Sequence, residues 1–141
     1  MTLEELPGWA LELLSGARVG RLGLLDEADQ PRVLPVAFTL LDGALWSAID
    51  QKPKRSAGEP ARVRRLRRRP ESALLVDRYD DDDWTRLAWV EARGRMSVLD
   101  AGSAPQVLVA LAAKYPQYRD HPPPGPLLRL GVEGVACWRF G

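Results

Sequence analysis

The 141-residue chain has few of the residue types that build disulfides and zinc sites. A single cysteine, Cys137, excludes a disulfide within the chain, and a single histidine, His121, excludes a Cys/His zinc site. No apolar run of eighteen residues is present, which excludes a membrane-spanning helix. The acidic, amphipathic N-terminal stretch does not have the pattern of a secretory signal. We therefore expect a cytoplasmic protein that does not interact with membranes.

Neither sign of charge is in excess, since 20 basic residues face 19 acidic ones. The charges are nevertheless segregated along the chain. Nine basic residues and one acid lie between Lys52 and Arg69, and five acids accompany Arg78 between Asp77 and Asp83. The length and the 45% apolar content are typical of one globular domain, which we assign to residues 1–141.

Three helices are predicted from start signals and apolar spacing. Thr2-Leu-Glu-Glu5 has the spacing of a capping box and predicts a helix over 3–15, with Pro7-Gly8 weakening its first turn. Pro60 at a first helical position predicts a helix over 60–69. Ser103-Ala-Pro-Gln106 is a second capping box before a buried stripe that runs to Tyr115.

Six strands are predicted from alternating and apolar stretches, at 18–25, 32–41, 44–50, 72–79, 87–99 and 127–140. Asp42-Gly43 predicts a tight hairpin, Gly94 a bend, and Glu133-Gly134 an interruption of the last strand. The order of elements predicts an α+β protein, mainly antiparallel β, with about three peripheral helices. Six antiparallel strands of this size favour a small barrel.

The strongest local signal for a binding site is the basic loop that follows the third strand. Lys52, Lys54 and Arg55 flank Pro53 just before a helix N-terminus, an arrangement suited to phosphate. A solvated basic turn is the alternative. The arginine run 62–69 suggests nucleic-acid binding, but its lack of interleaved aromatics favours a solvated helix face that partly serves an anionic ligand.

No set of side chains in the sequence indicates nucleophilic, metal or acid–base catalysis. Asp80 to Asp83 lack the glycine and terminal glutamate of a calcium loop. Cys137 is interpreted as a core residue, and Trp46, Trp84, Trp89 and Trp138 as either core residues or a stacking surface. Any enzymatic activity therefore requires a bound cofactor that the protein positions.

Several segments, taken in order, resemble the pyridoxamine 5′-phosphate oxidase-like family, and more narrowly its coenzyme F420-dependent subgroup. The resemblance covers about residues 5–139. The segments are Arg18-Val-Gly-Arg-Leu-Gly23, Gln30-Pro-Arg-Val-Leu-Pro-Val36, Leu45-Trp-Ser-Ala-Ile-Asp50 with Lys52-Pro-Lys-Arg55, and Ala112-Ala-Lys-Tyr-Pro-Gln-Tyr118. The chain ends in Cys137-Trp-Arg-Phe-Gly141 rather than the family's Arg-x-His segment, so pyridoxamine phosphate oxidase activity is not expected.

The resemblance implies a six-stranded split β-barrel that forms a two-fold homodimer, with FMN or F420 in a groove at the subunit interface. By position, the ring would be lined by Pro35, Val36, Ala48 and Ile49. The phosphate would be held by Ser47, Lys52, Lys54 and Arg55. Arg62 and Arg65 would extend the cationic site, and Trp84 and Trp89 would come from the second subunit.

The spread of cations favours F420, whose tail carries a phosphodiester and several carboxylates. The expected function is hydride transfer from reduced F420 to a small-molecule electron acceptor. FMN binding is one alternative. A carrier protein without turnover is another, because Tyr79, Tyr115 and Tyr118 are the only proton donors the sequence suggests.

Overall fold

The computed structural model describes residues 1–50 and 58–141, and these form an α+β fold. The helices within the described residues are α1 (Gly8–Gly16), α2 (Ala61–Arg68), α3 (Pro105–Lys114) and α4 (Gln117–Asp120). The strands are β1 (Gly20–Leu25), β2 (Pro31–Val36), β3 (Thr39–Leu41), β4 (Ala44–Ala48), β5 (Glu71–Arg78), β6 (Ala88–Leu99) and β7 (Leu127–Arg139). None of the described helices is long and apolar enough to cross a bilayer.

The seven strands form one antiparallel sheet whose two edges are adjacent in the sequence. The strand order is β2-β1-β5-β6-β7-β4-β3, so β2 and β3 lie at opposite edges. Only Ala37 and Phe38 connect these two strands. The sheet must therefore roll up until its edges meet, and no ladder joins β2 to β3 in the described part of the chain. The result is a barrel that is split at this seam.

The seam corrects the prediction of one continuous strand over 32–41 and raises the strand number from six to seven. At Phe38 the backbone bonds to side chains instead of a strand. Its N–H donates to the Tyr115 hydroxyl oxygen at 3.1 Å, and its carbonyl accepts from Lys114 Nζ at 2.9 Å. Ser47 Oγ donates to the Ala37 carbonyl at 2.7 Å. These contacts satisfy the backbone where the chain crosses between sheet edges.

The core fills the interior of the barrel and has a satellite outside it. Inward-facing side chains of the strands pack with buried residues of two helices, Ala10 and Leu14 from α1 and Val63 and Leu66 from α2. A second cluster lies on the outer face of β4, where Val107 and Leu111 of α3 cover alternate strand residues, namely Ala44, Trp46 and Ala48. β4 is therefore buried on both faces, which explains its continuous apolar sequence.

The predicted bend at Gly94 is confirmed as a β-bulge. The register between β6 and β7 shifts between Arg93 and Gly94, so Glu133 has no partner on β6. β7 itself continues from Leu127 to Arg139, so the predicted interruption near Glu133-Gly134 is an extra residue and not a break. The Asp42-Gly43 hairpin is also confirmed, and both residues have positive φ.

Helix starts differ from the predictions by one to several residues. The predicted helix 3–15 is a 3₁₀ turn over Leu3–Glu5 followed by α1, because Pro7 ends the turn and becomes the N-cap of α1. The Thr2 capping box forms with Glu5. The one at Ser103 does not, because its hydroxyl donates to the Asp100 carbonyl and Ala104 precedes the helix. Pro60 is the N-cap of α2 and not its first residue.

Candidate functional site

The basic loop predicted to bind phosphate lies outside the described residues. Lys52, Lys54 and Arg55 all fall in the gap between Asp50 and Gly58, so their role stays a prediction. The gap contains no acidic residue, and it joins the end of β4 to the start of α2. The described parts of the candidate site lie in the elements on either side of this gap.

A groove runs between edge strand β2 and the N-terminal end of α2, and we call it the β2 groove. It has a volume of about 290 Å³. It is lined by Leu24, Arg32, Val33, Leu34, Pro60, Ala61, Arg62 and Arg65. Three arginines thus converge on one edge strand, and two of them are residues that the sequence nominated for an anionic ligand.

The charge balance of the β2 groove favours an anion. Arg65 Nε bonds Glu27 Oε1 at 3.0 Å, which lowers the pKa of Glu27, and Arg32 lies 3.4 Å from Asp26. No carboxylate of the described residues forms an ion pair with Arg62. The half-buried Arg62 therefore keeps its charge available inside the groove.

The start of α2 adds backbone donors to the β2 groove. Pro60 caps the helix without a side-chain acceptor, and its carbonyl takes the N–H groups of Val63 and Arg64. The N–H groups of the first helical residues have no acceptor within their own helix and stand at its positive end. Because Ala61 and Arg62 line the groove, these donors lie beside the arginine side chains.

The residues predicted to line a cofactor ring divide between surface and core. Pro35 is exposed on the outer face of β2, whereas Val36 on the same strand is buried. Ser47 and Ile49 face the barrel interior, and Ala48 lies beneath α3. The Ser47 hydroxyl already donates to Ala37, which brings β4 against the end of β2. Of this set, Pro35 alone presents its side chain at the surface.

The two tryptophans expected at the cofactor site, Trp84 and Trp89, lie away from the β2 groove of their own chain. Trp84 is 59% exposed in a 3₁₀ turn, Trp84–Arg86. Trp89 lies on the outer face of β6, opposite Trp138 of β7. β6 is three strands from β2, a distance of about 14 Å across the sheet. Within one chain, the β2 groove and these tryptophans therefore do not form one compact site.

Most arginines of the basic run 62–69 form ion pairs, with acids that are near in the sequence as well as distant. Arg67 lies 2.7 Å from Glu59, Arg68 lies 3.2 Å from Asp29, and Arg69 bonds both Asp29 and Glu71. The pairs with Asp29 and Glu71 fasten the C-terminal end of α2 to the β1–β2 turn and to the start of β5. They also neutralise the face that a nucleic acid would use, which supports the interpretation of the run as a helix face.

Sequence reasoning missed Arg32 as a groove residue and the pairing of Asp50 with Tyr118. Tyr118 donates to Asp50 Oδ1 at 2.7 Å, and burial followed by this bond raises the pKa of Tyr118 above its usual range. Both residues line a 580 Å³ depression beside α4. Arg32 could have been found from the sequence as a charged residue at an inward-facing position of a strand. Such a residue indicates that the strand lies at the edge of its sheet.

No protein-family model matches the sequence, and no curated protein matches it, but solved structures do resemble the fold. A protein of the pyridoxinephosphate oxidase family from Clostridium acetobutylicum is 18% identical, with a TM-score of 0.64 over 93% of this chain and 86% of that one. An F420 reductase is 18% identical, with a TM-score of 0.67 over 93% of this chain and 98% of that one. The chain shares their fold.

A haem binding protein from Mycobacterium smegmatis has the same fold, with a TM-score of 0.72 and 16% identity. The match covers 92% of this chain but 52% of that protein, so this chain spans about half its length. The three proteins confirm the type of fold that the resemblance implied. Because these proteins are named for different ligands, the choice of cofactor depends on the chemistry of this chain's own residues.

Proposed function

We propose that the protein is an F420-binding oxidoreductase that passes hydride from reduced F420 to a small-molecule acceptor. The observation that carries the proposal is the β2 groove, where Arg32, Arg62 and Arg65 meet the N-terminal end of α2. Arginines and free backbone N–H groups are the donors that phosphate and carboxylate prefer. The F420 reductase of the same fold is a second line of support.

The length of the cationic track favours F420 over FMN. FMN ends in one phosphate, whereas the F420 tail carries a phosphodiester and several carboxylates. The β2 groove supplies cations along the start of α2, and Lys52, Lys54 and Arg55 precede that helix in the sequence. A track of separated cations suits an extended polyanion better than it suits a ligand with a single phosphate.

In the proposed complex, the protein binds and orients the cofactor without supplying a catalytic side chain. When bound, deazaflavin supplies the hydride and reacts poorly with oxygen. Arg62 and Arg65 hold anionic groups of the tail, and exposed Pro35 offers a rigid apolar contact for the ring. A homodimer brings tryptophans of the second subunit to the same groove and reduces the access of water.

Titration of the protein with F420, FMN and haem tests the β2 groove directly. F420 should bind with a micromolar dissociation constant. Arg62→Ala should weaken that binding roughly ten- to a hundredfold, the value of a charge-assisted hydrogen bond. Arg67→Ala is the matched control, because Arg67 lies on the same helix but pairs with Glu59 outside the groove. Tight binding of FMN or haem without F420 would contradict the proposal, and so would equal F420 affinity in Arg62→Ala and the parent.

A second candidate function, a carrier of F420 without turnover, is favoured by the state of the tyrosines. Tyr79 donates to Asp81 at 2.8 Å, Tyr115 to the Arg18 carbonyl at 2.9 Å, and Tyr118 to Asp50. Each hydroxyl already has an acceptor within the chain. Oxidation of reduced F420 in the presence of enones, quinones or nitro compounds distinguishes the two functions, since a carrier gives no turnover.

A further inference from the structure

The depression beside α4 has an acidic and aromatic lining, and we call it the α4 depression. It has a volume of about 580 Å³, which is within the range of small-molecule sites. Its lining includes Asp50, Tyr118, Asp120, His121 and the prolines at 122–124. Two carboxylates therefore border one cavity, and no lysine or arginine of the described residues lines it. A cavity lined by charge of one sign concentrates ligands of the opposite sign, here cations.

The two carboxylates of the α4 depression are not neutralised within the described part of the chain. No ion pair there involves Asp50 or Asp120. The arginine of α4, Arg119, does not line the depression, because its Nε donates to the Ala112 carbonyl of α3 at 3.1 Å. Asp50 accepts the Tyr118 hydroxyl through Oδ1, which leaves its second oxygen for a ligand.

The ring of Tyr118 gives the α4 depression an aromatic surface that is held in place. Its hydroxyl bonds Asp50, and its ring packs edge to face against Tyr115, with the ring centres 5.8 Å apart and the planes at 68°. Tyr115 in turn bonds the backbone of Phe38 at the seam. An aromatic ring attracts an organic cation, and a neighbouring carboxylate adds a charged hydrogen-bond acceptor.

The prolines form a rigid wall that is fastened to the end of β4. The Gly125 N–H donates to the Ile49 carbonyl, and the Ile49 N–H donates to the Pro126 carbonyl, both at 3.0 Å. A Cβ on Gly125 would lie 2.6 Å from the Ile49 oxygen, so the two segments are in close contact. Pro123 is buried, and the prolines on either side of it are exposed. Because proline fixes φ, a ligand finds this wall already formed.

We propose that the α4 depression binds a small organic cation, an amine or amidine carried on an apolar ring. The charged group bonds Asp50 and Asp120, and the apolar ring packs against Tyr118 and the prolines. A metal ion fits less well, because the described residues contain no group of three or more His, Cys, Asp or Glu side chains that could hold one.

The α4 depression adjoins the β2 groove and has the opposite charge. Burial, followed by the bond to Asp50, raises the pKa of Tyr118, and the charge of Arg62 opposes that shift. Since Arg62 lines the β2 groove, the two sites lie on either side of this arginine. A cation and an anion therefore bind side by side, each at its own site. The cation site does not depend on which anion the β2 groove holds.

Titration with benzamidine, followed by two-dimensional amide NMR of the protein without F420, tests the cation site. The amide signals of Tyr118, Asp120 and His121 should shift, with a dissociation constant of about 1 mM, as expected for a ligand of this size. Benzamide has the same shape without the charge and should bind at least roughly tenfold more weakly. Benzoate, the matched anion, should cause no shift at these residues.

Variants of the lining assign the affinity to particular side chains. Asp50→Asn and Asp120→Asn should each weaken benzamidine binding roughly three- to tenfold, because each removes a charged acceptor without changing shape. Tyr118→Leu should weaken it roughly three- to fivefold through loss of the ring. Asp82→Asn is the matched control, since it removes an exposed acid from the loop between β5 and β6, and it should bind as the parent does.

The amide spectrum of each variant also reports whether the fold is intact. Asp120 is exposed and forms no ion pair among the described residues, so Asp120→Asn retains the fold and keeps the test decisive. No binding by the parent, shifts confined to another surface, equal affinity for benzamide, or equal affinity in Asp120→Asn and Asp82→Asn would each overturn the inference. Because F420 is absent throughout, failure of F420 binding leaves this result intact.

Discussion

The environment of Lys114 differs from that of an ordinary surface lysine. Its Nζ donates to the Phe38 carbonyl and lies 3.8 Å from the centre of the Phe38 ring. Burial, followed by the nearby Arg18, lowers the pKa of Lys114 to about 8. The lysine therefore fastens the seam of the barrel while its charge is held in a partly desolvated place.

This environment predicts a pH-dependent difference in stability between the parent and Lys114→Met. A lysine in an unfolded chain keeps a pKa near 10.4, so between about pH 8 and 10 the unfolded state binds more protons than the folded state. Stability contributed by Lys114 therefore rises with pH across that window. The thermal midpoint of the parent minus that of Lys114→Met, measured at matched pH values, should therefore increase between about pH 8 and pH 10. A difference that stays constant from pH 7 to 10 would contradict the assignment.

Elements marked by particular residues in their own segment were predictable from the sequence. The seam between β2 and β3 was not. The Asp42-Gly43 turn and the bulge at Gly94 depend on residues that must adopt particular backbone geometries, and those residues are visible in the sequence. The division of 32–41 into β2 and β3 depends on Tyr115, which bonds Phe38 from 77 residues away. A local pattern of apolar residues cannot encode a partner at that distance.

The candidate site shows the same limit. The sequence nominated Arg62 and Arg65 because cations at a helix start bind anions. It could not show that Arg68 and Arg69 are neutralised by Asp29, which meets them only in the folded chain. Of the predicted ring-lining residues, the alternation of strand faces buries Val36 beside exposed Pro35, a distinction that requires the inner face to be known.

The bulge in β6 and β7 leads to a prediction about stability. A Cβ at Gly94 would lie 1.9 Å from the Gly131 carbonyl oxygen, which belongs to the backbone of the paired strand and cannot move aside alone. Gly94→Ala should lower the free energy of unfolding by roughly 3 kcal/mol. Gly16→Ala, where a Cβ meets nothing within 4 Å, is the control and should be neutral or slightly stabilising. Chemical denaturation measures both, and equal stability of the two variants would argue against the described register.

At the scale of the whole molecule, the distribution of ion pairs decides whether the basic run can act as a surface. Formal net charge is +1, and α2 lies against acids from two other parts of the chain. Arg62 of the β2 groove forms no ion pair with a carboxylate of the described residues, and the sequence places Lys52, Lys54 and Arg55 shortly before it. This arrangement favours a small anionic ligand over a duplex, which needs a continuous row of accessible cations.

The last prediction follows from that neutralisation and concerns duplex DNA. The parent should show no measurable affinity at physiological salt, about 0.15 M, because Arg67, Arg68 and Arg69 are engaged by acids. Removing those acids together, with Asp29→Asn, Glu59→Gln and Glu71→Gln, should release the arginines and raise DNA affinity at least roughly tenfold over a control of equal net charge. That control is Glu4→Gln, Glu12→Gln and Asp82→Asn, which changes exposed acids without an ion pair among the described residues. Fluorescence anisotropy over a salt series measures all three proteins. Equal binding by both triple variants would mean that net charge alone governs affinity, and tight, steeply salt-dependent binding by the parent would restore nucleic acid as its ligand.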